Sequence, residues 1–492
     1  MMAEGSFSGR RGKLLAVGLL MYTGCAAQQP FESAPPSPDR AWKAPDLRRY
    51  EAALSESEHT RAHEAPAVSI DSQKAYELSE LIDIAERTNP ETRVAWERAR
   101  QAAIAVGLAE GTYYPVLVAA ATGAVAHVPL PIPTTVVPGG VFTADTQFVI
   151  PALSLDWVLL DFGRRRAVVD AAQAQAVEAN VSFNAKHQQI VFDVTRKFYS
   201  LTAVRGEVAA ARAALDSARS LEEAAAMRKQ HELATLPEVL QAQEETARAT
   251  YELQDALASE HDARMELLET VGVRPGPPIE IADVSQQPLP ATLEESVDQA
   301  IDRALTQRPD LVARLASVKA KEAELRKARA DFWPRLVVRT AVGGNIGELK
   351  VEDSPYQSVS DLQYDAGFRL EWTLFDGFER RNKVSLAESL RKEAGEELEH
   401  QKDKAVREVW KAYNDTKVAL AKQQAAAALL TASEKAWDAT FESYRHGLAT
   451  FPDVRESQRD LARARKLGQA ARAEVWTRAA AFAFSTGDLA RP

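Results

Sequence analysis

The chain has one cysteine, Cys25, in 492 residues. That excludes a disulfide framework and any cysteine-rich zinc or iron–sulfur site. No run of about 20 apolar residues occurs, which argues against a membrane-spanning helix. Positive charge is also short: 60 Lys and Arg face 70 Asp and Glu, a formal net charge of −10, or −12 with the first 24 residues set aside. A general nucleic-acid binder needs a basic face for phosphates, so no nucleic-acid partner is expected. There is no H-E-x-x-H, no Walker loop and no G-x-S-x-G, so no enzyme is expected. Gly343-Gly344-x-x-Gly347 reads as part of a loop between strands, not as a nucleotide loop before a helix. No Met or His cluster suggests a metal; His59 and His63 lie four apart, but in a proline-rich stretch.

The N-terminus, by contrast, is patterned. Arg10, Arg11 and Lys13 precede an apolar segment, Leu14 to Tyr22, then Tyr22-Thr23-Gly24-Cys25-Ala26. Residues 1–24 therefore read as a secretion signal. The small residues before Cys25 resemble a bacterial lipoprotein processing box, with Tyr22 where that box usually has Leu. Cleavage there leaves Cys25 as an acylated first residue, a covalent lipid (palmitate) being the one non-protein group expected. Pro30, Pro35, Pro36, Pro38, Pro45 and Pro66 make residues 25–76 a tether.

From about residue 77 the sequence repeats once. Asn89-Pro90-Glu91 matches Arg308-Pro309-Asp310 and Tyr114-Pro115 matches Trp333-Pro334 at an offset of 219. Trp157-x-x-x-Asp161 matches Trp372-x-x-x-Asp376, and Leu233–Val239 matches Leu448–Val454, at an offset of 215. The repeats span 77–273 and 291–487, with a proline-rich linker at 274–290 and a tail at 488–492. Each begins with a helix, 91–111 or 310–332. Two strands follow, about 114–128 and 145–160 in the first repeat, about 335–346 and 361–375 in the second. The last strand is the clearest: Leu362, Tyr364, Ala366, Phe368, Leu370, Trp372 and Leu374 alternate with polar residues or glycine. Loops rich in Pro129, Pro131, Pro133, Pro138 and in Gly343, Gly344, Asn345, Gly347 separate the strand partners.

Residues 163–232 and 378–446 contain no proline, and about 70 helical residues reach about 105 Å. Val191, Val194, Phe198, Leu201, Val204, Val208, Ala211 and Leu215 recur at threes and fours, a coiled-coil seam. A short turn leads to a second helix, 238–271 or 453–485, which makes an antiparallel hairpin. The fold class is therefore mainly α with a small β part. Four strands cannot close a barrel, and an open edge cannot face lipid. Yet an apolar face, a charged face and a Trp near one end fit a membrane barrel with a wet interior. Pooling strands from several chains reconciles these facts; a soluble sheet packed on the helices is the other reading.

The tandem halves, the paired Trp-x-x-x-Asp strand ends and the tip Gly447-x-x-x-Phe451-x-Asp453-Val454 together resemble the TolC-like outer-membrane efflux protein family over about residues 77–487. The lipid anchor resembles that family's lipoprotein branch. The resemblance implies a homotrimer with a 12-stranded barrel in the outer membrane and a long α-barrel in the periplasm. It also implies docking to a periplasmic adaptor and an inner-membrane pump, either an antiporter or ATP-driven. It places Leu233, Thr235, Leu236, Gly447, Leu448, Thr450 and Phe451 at tips that contact the adaptor, the leucines and Phe451 as exposed apolar groups. Asp453 and Glu456, with Glu238 on the first tip, match acids around the periplasmic mouth; Ala449 stands where a basic latch residue is common. By the alternation, Asp156, Arg339, Arg369 and Glu371 face the barrel lumen. Both tips, Thr235 to Glu238 and Thr450 to Asp453, also fit a capping box. The leading expectation is a passive exit duct for small molecules. The outlet of a type I protein secretion system and a lipid-anchored coiled-coil scaffold are the alternatives.

Overall fold

The computed structural model describes residues 70–71, 74–131, 141–274, 279–284, 287–289, 293, 295–352 and 354–489. The signal, Cys25, His59, His63, most of the tether, Pro133 and Pro138 lie outside the described residues. Within it one plan is built twice. Strand β1 (Ala75–Tyr76) precedes α1 (Leu78–Thr88), α2 (Pro90–Gly111), β2 (Val116–Pro131), β3 (Val141–Leu160), α3 (Arg164–Gln230) and α4 (Leu236–Val271). The second copy is β4 (Glu280–Ile281), α5 (Val297–Gln307), α6 (Pro309–Ala330), β5 (Arg335–Val351), β6 (Gln357–Glu371), α7 (Glu379–Arg445) and α8 (Phe451–Thr486).

Local chemistry sets these boundaries. Pro90 and Pro309 stand at the first position of α2 and α6, where a missing N–H costs nothing. The Asn89 side chain accepts from the Glu91 N–H at 2.8 Å. α3 and α7 each run 67 residues, about 100 Å at 1.5 Å per residue. Ile190, Val194, Phe198, Leu201, Val208, Leu215 and Leu221 form a buried stripe along α3. It packs on α4 and α8, whose small residues Ala242, Ala249, Ala464 and Ala471 let the backbones approach.

Two apolar clusters anchor the ends of this bundle. One joins Phe198, Leu201, Leu267, Leu268 and Val271 to Tyr76, Leu81, Ile279, Ile281 and Val284. Each fully buried leucine there contributes about 2 kcal/mol. The proline-based reading of a tether to 76 and a linker from 274 needs correction here: β1 pairs parallel with β4, through Tyr76↔Ile281. The apolar spacing Ile279-x-Ile281-x-x-Val284 overrides the breaker residues around it. The other cluster, at the far end of the hairpins, holds Leu221, Val239, Trp437, Tyr444, Phe451, Val454 and Leu461.

The large sheet is antiparallel throughout, in the order β2-β3-β5-β6, so β2 and β6 are open edges. Its strands run further than the residue pattern suggested. Gly343, Gly344, Asn345 and Gly347 lie inside β5, and Pro129 and Pro131 inside edge strand β2. Gly343 and Gly347 serve close approach, not turning. A Cβ on Gly343 would sit 2.8 Å from the Pro151 carbonyl oxygen, and one on Gly347 would collide with the Gln147 carbonyl. β6 ends at Glu371, short of the expected 375, because its ladder partner β5 begins at Arg335, opposite Glu371.

Candidate functional site

Cross-strand register assigns the sheet's two faces. Asp156 pairs with Arg339, Arg339 with Gly367, Val337 with Arg369 and Arg335 with Glu371, so these side chains share one face. The structure brings all four expected lumen residues together, and adds Arg335. Arg339 Nε donates to Asp156 Oδ1 at 2.5 Å, and Arg335 Nε to Glu371 Oε2 at 2.6 Å. Arg369 lies 3.8 Å from Glu371. The opposite face, at the helix end, carries Leu117, Leu153, Leu155, Trp157, Val338, Val342, Tyr364, Phe368 and Leu370. Phe368 and Tyr364 are 77% and 79% exposed, so in the single chain this face has nothing to cover it.

Where sheet meets helices, the repeat produces one joint twice. The Trp157 indole donates to the Tyr113 carbonyl at 2.9 Å, and Trp372 to the Phe332 carbonyl at 3.1 Å. Asp161 accepts from Arg165 Nε at 2.9 Å and Asp376 from Arg380 Nε at 2.6 Å. Arg165 stacks 5.0 Å over Tyr113, and Arg380 5.1 Å over Phe332. Both arginine–aspartate pairs are largely buried. The sequence signal was Trp-x-x-x-Asp-x-x-x-Arg at the 215-residue offset; extending the motif by four residues finds Arg165 and Arg380. Exposed Tyr114, Trp333, Trp372, Phe375 and Phe378 ring the joint as an aromatic belt.

The tips lie at the far ends of α3 and α7, about 100 Å from the sheet, so the two groups of candidates are separate sites. Asp453 accepts from the Thr450 hydroxyl at 2.6 Å and the Thr450 N–H at 3.0 Å. Those bonds hold its carboxyl below the usual carboxylate range. The first tip is looser: Thr235 Oγ1 donates to Glu238 at 3.2 Å, and no reciprocal box forms. Gly447 ends α7 at φ +77°, whereas its counterpart Glu232 holds φ +59° without being glycine. Leu233, Leu236 and Leu448 are exposed, as are Asp453 and Glu456. Phe451 is not: it is 3% exposed, packed edge-on 6.1 Å from Tyr444. The expected apolar contact at Phe451 is thus a core residue, because Tyr444 has no aromatic equivalent in the first repeat.

Sequence reasoning also missed Arg228. Its Nη1 donates to the Tyr444 carbonyl at 2.6 Å and its Nη2 to the Leu233 carbonyl at 3.2 Å. Its guanidinium lies 4.7 Å over the Tyr444 ring. Burial pushes the Tyr444 hydroxyl's pKa up. Further along, Arg459 Nη2 meets buried Glu245 at 2.7 Å and ties α8 to α4. Neither pair lies at repeat-matched positions, so no internal signal could find them. Among the described residues, no cluster of His, Cys, Asp and Glu could hold a metal, and no helix is long and apolar enough to cross a membrane.

With this geometry in view, the comparisons with known proteins agree. The chain belongs to the Outer membrane efflux protein family, matched over residues 81–273 and 300–488, one segment per repeat. Protein CyaE of Bordetella pertussis is 29% identical over 419 residues, covering 84% of each chain. Outer membrane protein OprJ of Pseudomonas aeruginosa is 25% identical over 312 residues, 61% of each. Among solved structures, VceC of Vibrio cholerae superimposes with a TM-score of 0.68 at 21% identity, covering 83% of this chain and 96% of that one. The CmeC outer membrane channel of Campylobacter jejuni gives 0.70 at 16% identity, covering 86% and 90%. The protein is therefore an outer-membrane efflux channel that extends into the periplasm, a transport component and not an enzyme.

Proposed function

We propose that three copies of the chain pool their strands into one 12-stranded barrel, and that the long hairpins continue it as a helical tube below the membrane. The duct is passive. It receives small molecules from an inner-membrane pump through a periplasmic adaptor, and the hairpin tips are its periplasmic mouth. One observation carries this reading: a four-stranded sheet with two open edges and an uncovered apolar face. Unpaired edge N–H and C=O groups are untenable in lipid, and only closure removes them. Edge strands β2 and β6 have 16 and 15 residues, so β6 of one copy matches β2 of the next in length. Asp453 and Glu456, three apart at the start of α8, supply six carboxylates in three copies and favour cations at the mouth. Leu233, Leu236 and Leu448 are the adaptor contacts. Cys25 carries the lipid that anchors the tether.

Planar-bilayer recording tests the duct. The purified protein should conduct, and Asp453→Asn with Glu456→Gln should reduce cation selectivity. Cysteines placed on β2 and β6 should cross-link chains into covalent trimers. A stable, folded single subunit in detergent that carries no current would refute the proposal. Mass spectrometry of the mature N-terminus checks Cys25, and Cys25→Ser should abolish the lipid adduct.

A further inference from the structure

The alternation inverts along the two central strands of the sheet, β3 and β5. Near the helices, one face is apolar and the other charged, as described above. Toward the loop end the two faces exchange character on β3 and β5, while β6 keeps Asp365, Gln363, Asp361 and Gln357 on the charged face. On the formerly apolar face, His127 pairs with Asp145, Asp145 with Lys350, and Gln147 with Glu348. His127 Nδ1 lies 2.5 Å from Asp145 Oδ1. On the formerly charged face, one register row reads Ala124, Phe148, Gly347, Val359 and another reads Val128, Ala144, Val351. Neither row contains a polar side chain. On the same face the neighbouring rows are mixed: Thr146, Leu349 and Gln357 on the loop side of Phe148, and Thr122, Ile150, Asn345 and Asp361 on the helix side.

The register shows no bulge in these strands between Asp145 and Val158, so the exchange is a change of residue type and not a flip of the backbone. The apolar band on the outer face runs from Trp157 to Val149, about 27 Å along the strand and about 21 Å in height at a 40° tilt. That matches the hydrocarbon layer. The charged residues beyond it therefore stand at the outer water boundary. The apolar rows behind them face the inside of the tube, where alanine, valine and phenylalanine interrupt a polar lining that Thr146, Gln357, Asn345 and Asp361 supply on either side of Phe148. Apolar groups lining an aqueous passage form a contact surface for solutes.

We propose that this row, with Phe148 as its largest member, is an apolar collar that binds solutes with an apolar body as they leave the duct. It rests on the barrel reading above. In three copies the Ala124–Phe148–Gly347–Val359 row makes a broken ring of three inclined patches, each rising about 9 Å across its four strands at that tilt and none carrying a hydrogen-bonding side chain. Such a ring retains a solute by desolvating its apolar surface, and gives a small hydrated ion nothing to bind. The charged rows at Asp156 and Arg339, nearer the helices, act on the opposite property, charge.

The probe is tetraphenylphosphonium, added to the loop side of a planar bilayer. Arg228→Ala serves as parent, so that loosened tips carry current. The parent should show block by tetraphenylphosphonium and none by tetraethylammonium at equal concentration. Phe148→Asn should shorten the blocked time by about tenfold, the equivalent of one lost aromatic contact. Ala124 is exposed on an edge strand, so Ala124→Asn removes no packing; it too should shorten the block. Lys350→Ala, on the other face, should leave it unchanged. A conducting parent whose block is the same in Phe148→Asn and Ala124→Asn overturns the collar alone. A parent that conducts nothing overturns the duct and the collar with it.

Discussion

Removing Arg228 should loosen the tips and leave the rest of the bundle intact. The magnitude follows from its contacts. Arg228 makes a short charged bond to the Tyr444 carbonyl at 2.6 Å and a longer one to the Leu233 carbonyl at 3.2 Å. A hydrogen bond from a charged donor contributes about 1.5–3 kcal/mol, and the stacking on Tyr444 adds about 0.5–1 kcal/mol. The guanidinium is part-exposed, so solvent screens some of this. The Tyr444 carbonyl also keeps the Gly447 N–H at 3.0 Å, so it is not left bare. Arg228→Met should therefore cost about 2–3 kcal/mol, which is about 30- to 150-fold faster local opening at tenfold per 1.4 kcal/mol.

Hydrogen–deuterium exchange reads this directly. The Leu448 N–H bonds Ser443 and the Leu233 N–H bonds Arg228, both at 2.8 Å, so peptides over 228–240 and 440–455 carry the signal. Peptides over 190–201 and 263–271, in the cluster around Phe198 and Leu268, are the internal reference. Unchanged exchange at the tips refutes the argument. So does acceleration of equal size in the reference peptides, since that reports global destabilisation and not a tip contact.

Three further outcomes follow from the tips and the bundle. Glu232→Gly relieves a left-handed residue without a glycine's freedom, and should raise the thermal midpoint by an amount worth about 0.5–1 kcal/mol. The Asp453 carboxyl has a lower pKa folded than its ordinary 3.8, so its support is complete above that value and is lost as pH falls through the folded pKa; protection of the amides at 450–454 should decline there, and Asp453→Asn should remove that pH dependence. Arg308 is buried and holds Asp310 at 2.7 Å and Glu408 at 2.8 Å, but Asp310 keeps Gln401 and Glu408 keeps Lys404, so Arg308→Met should cost about 1–2 kcal/mol in thermal unfolding.

Much of this architecture was legible in the residues, for identifiable reasons. Proline-free stretches and a 3–4 spacing fix long helices from local information alone. A repeat makes each half a control on the other, which is why Trp157 and Trp372 stand out. What escaped depends on partners far away in the chain. The glycines of β5 look like a turn until the carbonyls of Gln147 and Pro151 are placed beside them. Arg228 meets Tyr444 across 216 residues of sequence. The inversion of the sheet faces needed the register, because β3 and β5 carry it while β2 and β6 do not, and only the pairing shows that the inverted stretches lie side by side.

The repeat's departures from symmetry assign different work to its two tips. Leu236 and Phe451 are equivalent in sequence, yet Leu236 is 52% exposed and Phe451 only 3%. Phe451 sits among Trp437, Tyr444, Val454 and Leu461, so Phe451→Ala leaves a cavity and should cost about 3–5 kcal/mol in stability. Leu236→Ser removes no core contact and should stay within about 0.5 kcal/mol of the parent. If the first tip is a docking surface, the same Leu236→Ser variant should lose adaptor binding in a pull-down with the purified adaptor, while folding and bilayer conductance persist. A variant that unfolds cannot separate the two roles, and Leu236→Ser avoids that confusion. Retained adaptor binding in a Leu233→Ser and Leu236→Ser double variant would move the docking surface to the second tip, where Leu448 is 83% exposed, and would leave the first hairpin as a spacer held in place by Arg228.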